Sequence, residues 1–466
     1  MKLINKFLLV AMLVFAAGAC TDDFAEINTD PNEPTSVPSA NLLTQAQYAM
    51  SEEYWGRAMN FEFGMLMVQH FSQNEYAEDS RYNQGPSNFS GAWATFYAGS
   101  LSDITAAMMI AEGEASTESV KANKMAMLKI MRALAFSMIT DIWGDVPYSE
   151  ALSTEFPNPA YDSQESIYMD LVAELDEAMG MIDMGAGSYG GADIIFGGDM
   201  ASWARFANSL KLRLGMRMAD ANPSMASTVV SQAAAGDLIT SNAQNALFRF
   251  GADQLIANPF FVDAITRDDF SMSEPLVSAM QTMGDPRLEM YSNPNINGEI
   301  VGIPYGLTDG ESFELKLESS RPNDRLRQAT EPAVLMGSWE VNFFLAEAAE
   351  RGLISGNAEN YYNTAVTESM GYWNVGDQAS AYLSANGYNG MESIAYEKWV
   401  ALYSNGLEAW AEHRRLDAPA LSVPAAAVLD MIPVRGFYPA SEEGVNSSFN
   451  DVGFNNMTTK MWWDVD

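Results

Sequence analysis

Four stretches of the chain place apolar side chains three and four residues apart. Met127, Met131, Leu134 and Met138 form the first stripe, and Trp203, Phe206, Leu210, Leu214 and Met218 the second. Lys211, Arg213 and Arg217 fall elsewhere on that second helix. Val341, Phe344, Leu345 and Ala348 form a third stripe. Ala395, Trp399, Leu402, Tyr403 and Trp410 form a fourth, with an irregularity expected at Asn405-Gly406. This spacing keeps side chains on one face of an α-helix, whereas strand-type alternation is weak and short throughout. Loops rich in Gly, Pro and Asn are predicted at 73–90, 184–199, 251–275 and 291–331. The last is long enough to suggest a functional loop. The pattern predicts a mostly α-helical protein whose helices carry loops.

Two regions read as helix pairs. One runs from Leu345 to Val366, with Ala348 and Ala349 allowing close helix approach and Gly352 and Gly356 bracketing a turn. The other joins a helix over 121–140 to one over 164–182. Both resemble tetratricopeptide pairs, although their spacing is not a regular 34 residues; generic helical hairpins are the simpler alternative. Trp143-Gly144-Asp145 reads as a helix exit, with Gly144 as a left-handed cap and Pro147 barring continuation.

Composition narrows the class. The chain has 466 residues, with 61 Asp plus Glu against 25 Lys plus Arg and a formal net charge of −36. Hydrophobic residues make up 48% and aromatics 11%, so the acidity belongs to a foldable chain and not to a disordered tail. The length suggests roughly three domain-sized units or one composite domain. A chain this acidic lacks the basic stripe that nucleic acid requires, and it would be repelled by anionic lipid.

The single cysteine, Cys20, permits no intrachain disulfide, and two histidines, His70 and His413, cannot make a His-rich zinc site. No phosphate-binding loop, metalloprotease helix or nucleophile elbow is present. No cofactor is implied. A pair of glycosidase carboxylates stays open, since acids are abundant. Asn293, Asn295, Asn297 and Gly298 copy part of a calcium loop, but the ligands are neutral and Pro304 stands where the final Glu belongs, so no metal site is read there.

Cys20 has a particular setting. Lys2 and Lys6 precede an apolar run from Phe7 to Ala17, too short to span a membrane, and small residues lead into Cys20. This reads as a lipoprotein signal over 1–19, with the Cys20 thiol acylated; an ordinary secretory signal is the alternative. Residues 20–38, with prolines at 31, 34 and 38, read as a lipidated flexible tether, and 39–466 as a single α-helical domain. Such a protein touches a membrane through its lipid alone.

Sugars are held by flat apolar faces together with planar polar groups, so aromatics on loops matter more than those on helical stripes. The candidates are Arg81, Tyr82, Asn83 and Trp93 in the first loop region, Phe260 and Arg267 in the second, and Tyr305 in the long loop. The first region also carries Tyr76, Gln84 and Phe89. Arg414, Arg415 and Arg435 with Glu442 could form a clamp, but internal ion pairs are the better reading for so few cations. Trp462 and Trp463 read as an anchor for the C-terminus. No catalytic residue is assigned.

Several segments occur in a characteristic order. FAEINTDPNEPT (24–35) is followed by DIWGDVPYSEAL (141–152) and WARFANSLKLRLGMR (203–217). Then come GDPRL (284–288), EKWVALYSNGLEAW (397–410), IPVRGFYP (432–439) and KMWWD (460–464). Together they resemble the SusD/RagB family from Cys20 to Asp464. The resemblance implies a tetratricopeptide-like helical scaffold with long loops on one face. It implies a lipoprotein on the outer face of the outer membrane. Such a protein would capture an oligosaccharide or other oligomeric nutrient, a peptide included, and deliver it to a SusC-like TonB-dependent transporter without catalysis. A lipid-anchored glycoside hydrolase and a protein-binding helix-repeat scaffold are the alternatives.

Overall fold

The computed structural model describes residues 37–465. Cys20, the predicted signal segment and nearly all of the predicted tether lie outside the described residues. The longer helices are α1 (Ser39–Tyr54), α2 (Pro86–Ala94), α3 (Ser102–Gly113), α4 (Glu118–Trp143), α5 (Gln164–Met181), α6 (Met200–Arg217) and α7 (Pro223–Ala234). After a loop-rich stretch come α8 (Glu274–Met283), α9 (Ser338–Glu350), α10 (Ala358–Tyr372), α11 (Gly390–Ala401) and α12 (Gly406–Leu416). Strands are two to four residues long and form four antiparallel pairs.

Local chemistry sets the helix starts. The Ser163 hydroxyl accepts the Ser166 amide at α5, and the Asp199 carboxylate accepts the Ala201 and Ser202 amides at α6. Asn222 caps α7 ahead of Pro223, whose missing N–H is no loss in the first turn. Asn405 caps α12, which places the expected irregularity at Asn405-Gly406 as a break between α11 and α12. Helix α4 ends at Gly144, with φ +83 and ψ −121. Its φ is positive as expected, but its ψ lies outside the left-handed helical well, in a region that suits glycine alone.

All four predicted stripes are buried. Each fully buried Leu, Met or Phe contributes roughly 1.5–3 kcal/mol. The predicted pairs form as α4 against α5 and α9 against α10, and α6 packs on α7. The second helix is buried on its polar side as well. Arg213 pairs with Glu340 at 2.7 Å and Arg217 with Glu408 at 2.5 Å, so α6 is tied to α9 and α12 by charge inside the core.

Three of the four predicted loops are knitted together. Phe71–Gln73 pairs antiparallel with Phe270–Met272, Ser72 opposite Ser271. Lys316 pairs with Glu75 at 2.6 Å, and the Ala77 amide donates to Asp309 at 2.6 Å. The fourth loop, 184–199, instead closes on α1 through buried Asp193, which accepts from Gln47 and from the Trp203 indole.

Candidate functional site

Arg57 opens a π-helical segment, Arg57–Gly64, directly beyond α1. π-Helical turns are frequent at functional sites. Its guanidinium reaches Glu62 at 2.6 Å, Asp263 at 2.5 Å and Asp269 at 2.7 Å. Burial pulls the guanidinium down, but Glu62 and Asp263 outweigh it and hold Arg57 above its ordinary value. Arg267 joins the same Asp269 at 2.5 Å. Members of this network line two hollows, Arg57 and Asp263 one and Arg267 and Asp269 the other.

The smaller hollow, about 430 Å³, is lined by Glu75, Tyr76, Thr266, Arg267, Asp268 and Lys316. Tyr76 stands 60% exposed, with the Arg267 guanidinium over its ring at 5.0 Å. Its φ is +53, which is uncommon for a bulky residue. Neighbouring bonds impose it: the Asn74 amide donates to the Asp269 carbonyl and the Ala77 amide to Asp309. Asp268 lies under Arg321 and Arg327; burial raises its carboxyl, but these two cations outweigh burial and hold it below the usual range. The hollow therefore offers one aromatic face ringed by fixed planar donors and acceptors.

The larger hollow, about 970 Å³, is lined by Tyr48, Glu52, Glu53, Arg57, Asp253, Leu255, Pro259, Val262 and Asp263, among others. The Tyr48 hydroxyl donates to the Leu255 carbonyl at 2.9 Å, which ties that loop to α1. Arg57 and Asp263 line this hollow and Asp269 the other, so one ion-pair network borders both.

The residues singled out in the sequence divide. Arg267 lines the smaller hollow. Arg81 is half-buried, its Nε donating to the Ala77 carbonyl at 3.2 Å, and Asn83 is exposed. Tyr305 is half-buried beside Tyr82, and its hydroxyl donates to the Leu66 carbonyl at 2.7 Å. Tyr82, Trp93 and Phe260 are buried in the core and present no open ring face. Trp93 packs on Tyr97 and Trp143, and Phe260 on Phe61 at 4.5 Å. A buried ring adds packing energy, so rings near loops are drawn inward. Sequence reasoning passed over Arg57, Glu52, Glu53 and Lys316; their juxtaposition is long-range and leaves no local signal.

The remaining motifs serve the scaffold. Asp141 accepts hydrogen bonds from Tyr168 and the Trp463 indole, and Asp145 accepts the Gln164 amide at the start of α5. Trp463 is buried, as a C-terminal anchor should be. Of the three late arginines, Arg415 is ion-paired as expected, to Glu347 and Glu412. Arg414 and Arg435 depart from that expectation. Arg414 donates to the Trp410, Val434 and Asp141 carbonyls and lies over the Trp410 ring at 3.4 Å. Burial pushes it down to about 9. Arg435 bonds the Trp143 carbonyl and lies over Tyr438 and Phe454. Asn295 accepts the Asn297 and Glu299 amides, so the calcium-like segment is a turn. Among the described residues no group of three or more His, Cys, Asp or Glu side chains is placed to hold a metal ion, and no helix is long and apolar enough to cross a membrane.

Stacked helix pairs that present a loop-built face with open polar hollows define a helix-repeat display protein. The chain belongs to the SusD/RagB family: residues 31–439 match the SusD-like family described as "Starch-binding associating with outer membrane". Among solved structures it is similar to a chitin-binding protein, 26% identical with a TM-score of 0.83, covering 92% of this chain and 100% of the other. It shares its fold with a chitin-binding SusD homolog from Flavobacterium johnsoniae, at 22% identity and a TM-score of 0.80 over 92% and 98% of the two chains. A SusD homolog from Bacteroides uniformis gives 23% and 0.79 over 91% and 99%. No curated protein matches the chain.

Proposed function

We propose that this protein is a cell-surface lipoprotein, anchored in the outer membrane through acylated Cys20, that binds oligosaccharide without cleaving it and passes it to a SusC-like TonB-dependent transporter. The observation that carries the binding is Tyr76, an exposed ring in a strained loop, with Arg267, Asp268 and Lys316 around it. A ring face suits the C–H surface of a sugar, and fixed planar groups suit its hydroxyls. Family membership and the likeness to a chitin-binding protein support a glycan as cargo.

The test is calorimetry of the mature protein against oligosaccharides derived from starch and from chitin, with peptides as a second arm. Binding of at least one oligosaccharide is expected, with Tyr76→Ala weakening it about tenfold or more, since a stacked ring is a dominant contact. Chromatography after incubation should recover the ligand intact; cleaved products would favour the hydrolase alternative. Peptide binding alone, or full affinity in Tyr76→Ala, would overturn this assignment of the site. In the same study, the full chain extracted from outer membranes should carry acyl chains on Cys20 and co-elute with a transporter barrel.

A further inference from the structure

We propose that Arg267 acts on the cargo through Tyr76: it is a positioning residue that backs one face of the ring and so presents the other face, already oriented, to a sugar. The proposal rests on the reading of the Tyr76 hollow given above.

The first support is strand register. Phe71–Gln73 pairs antiparallel with Phe270–Met272, Gln73 opposite Phe270. The Asn74 amide donates to the Asp269 carbonyl at 2.7 Å, which carries the same register one step further. Continued by two more steps, that register sets Tyr76 opposite Arg267. Directly opposed residues of an antiparallel pair put their side chains on one face. The Arg267 guanidinium lies there over the Tyr76 ring, 5.0 Å from its centroid. The intervening pair, Glu75 and Asp268, falls on the alternate face, and both members meet Lys316, at 2.6 and 4.0 Å.

The second support is how firmly the backing is held. Both Nε and Nη2 of Arg267 reach Asp269 at 2.5 Å. Asp269 is buried, and Arg57 holds it as well, at 2.7 Å. One buried residue therefore anchors the Tyr76 loop through its carbonyl and the plate behind the ring through its carboxylate. With one edge on Asp269 and its flat face on the ring, the guanidinium has Nη1 left to reach outward.

The third support is what else holds the ring. Among the described residues, Arg267 is the one aromatic, cationic or hydrogen-bonding partner of the Tyr76 side chain. Without it the exposed ring could turn about its side-chain torsions, and a ligand would have to fix it on binding, which lowers affinity. A planar guanidinium suits this task better than the point charge of an ammonium group.

The test is a double-mutant cycle, read by calorimetry on the mature protein with starch-derived and chitin-derived hexasaccharides. Arg267→Ala should weaken binding about fivefold, the scale of one side chain left to be immobilised by the ligand. Combined with Tyr76→Ala, it should add less than about twofold to the loss from Tyr76→Ala alone, because its effect passes through the ring. Losses that multiply would make Arg267 a direct contact and overturn the proposal, as would full affinity in Arg267→Ala. Arg267→Lys can still pair with Asp269, so it separates the plate from the charge. It should fold as wild type does and recover less than half of the lost binding free energy. Full recovery by lysine would mean that the charge alone matters and would also overturn the proposal. If Tyr76→Ala weakens binding and Arg267→Ala does not, this inference alone fails. If neither hexasaccharide binds, or Tyr76→Ala binds at full strength, the reading of the site fails with it.

Discussion

His70 lies fully buried, its ring centroid 5.2 Å from that of Trp399 and 5.9 Å from that of Tyr403. Burial pushes its pKa from 6.5 down to about 3. The folded state therefore stays neutral at His70 while the unfolded chain takes up a proton below pH 6.5. Stability from this residue is complete above 6.5 and is lost progressively as pH falls toward about 3. Between pH 6.5 and 4 the loss is on the order of 3 kcal/mol, at about 1.4 kcal/mol per unit. Urea titrations across that range should show a shallower slope for His70→Gln than for wild type. The slope is the test, because the substitution also changes absolute stability. His413 is lowered by burial too, so part of the acid sensitivity should persist. Identical slopes would refute the assignment. At this scale the sequence was a partial guide: Arg267 was legible as a polar group on an aromatic-rich loop, whereas Tyr82, Trp93 and Phe260 looked the same and were buried. What separates Tyr76 from them is the pinned, positive-φ loop around it, which no local pattern announces.

Between elements, glycines control approach where backbones touch. A methyl group at Gly64 would stand 2.4 Å from the Gly406 carbonyl carbon, and one at Gly406 would stand 2.3 Å from the Met65 amide nitrogen. The start of α12 thus packs backbone to backbone on the π-helical segment that begins at Arg57, and this contact helps to set the floor of the loop face. Neither chain can yield by rotating a side chain. Gly64→Ala and Gly406→Ala should each cost about 2 kcal/mol or more, read as a lower melting temperature. Gly180, exposed near the end of α5 with nothing within 4 Å, is the control. Gly180→Ala should gain about 0.5–1 kcal/mol, because alanine favours a helix interior. Equal effects at the three positions would mean that the close contact does not matter. The helices were legible because burial imposes a 3.6-residue period on each stripe. The Gly64–Gly406 contact was not, since its partners lie hundreds of residues apart and neither breaks a pattern.

For the molecule as a whole, charge is arranged in two compartments. Arg213, Arg217, Arg287, Lys398 and Arg415 are buried, paired with Glu340, Glu408, Glu397, Glu412 and Glu347 in turn. Each of these cations has a buried carboxylate of its own, so the inner compartment is close to neutral, and the excess of 61 acids over 25 basic residues belongs to the rest of the chain. The inner compartment also locks the helix pairs together, with Glu347 of α9 central to it. Glu347 accepts from both Arg415 nitrogens at 2.5 Å and from Arg351 at 2.9 Å, with Lys398 at 3.6 Å. Burial raises its carboxyl, but Arg415 and Lys398 outweigh burial and hold it below the usual range, so it is ionised at neutral pH. Glu347→Gln keeps the shape and removes the charge, leaving buried Arg415 and Lys398 to share Glu412 alone, while half-buried Arg351 keeps Asp220. Removing one partner of a buried pair typically costs about 3–5 kcal/mol. Chemical denaturation should show a loss of that size. Glu118→Gln, which touches only Lys121 at 3.8 Å on an exposed helix start, should show no measurable change. A small effect at Glu347 would mean that apolar stripes alone hold α6, α9, α11 and α12 in register, and that the inner charges are tolerated and not structural.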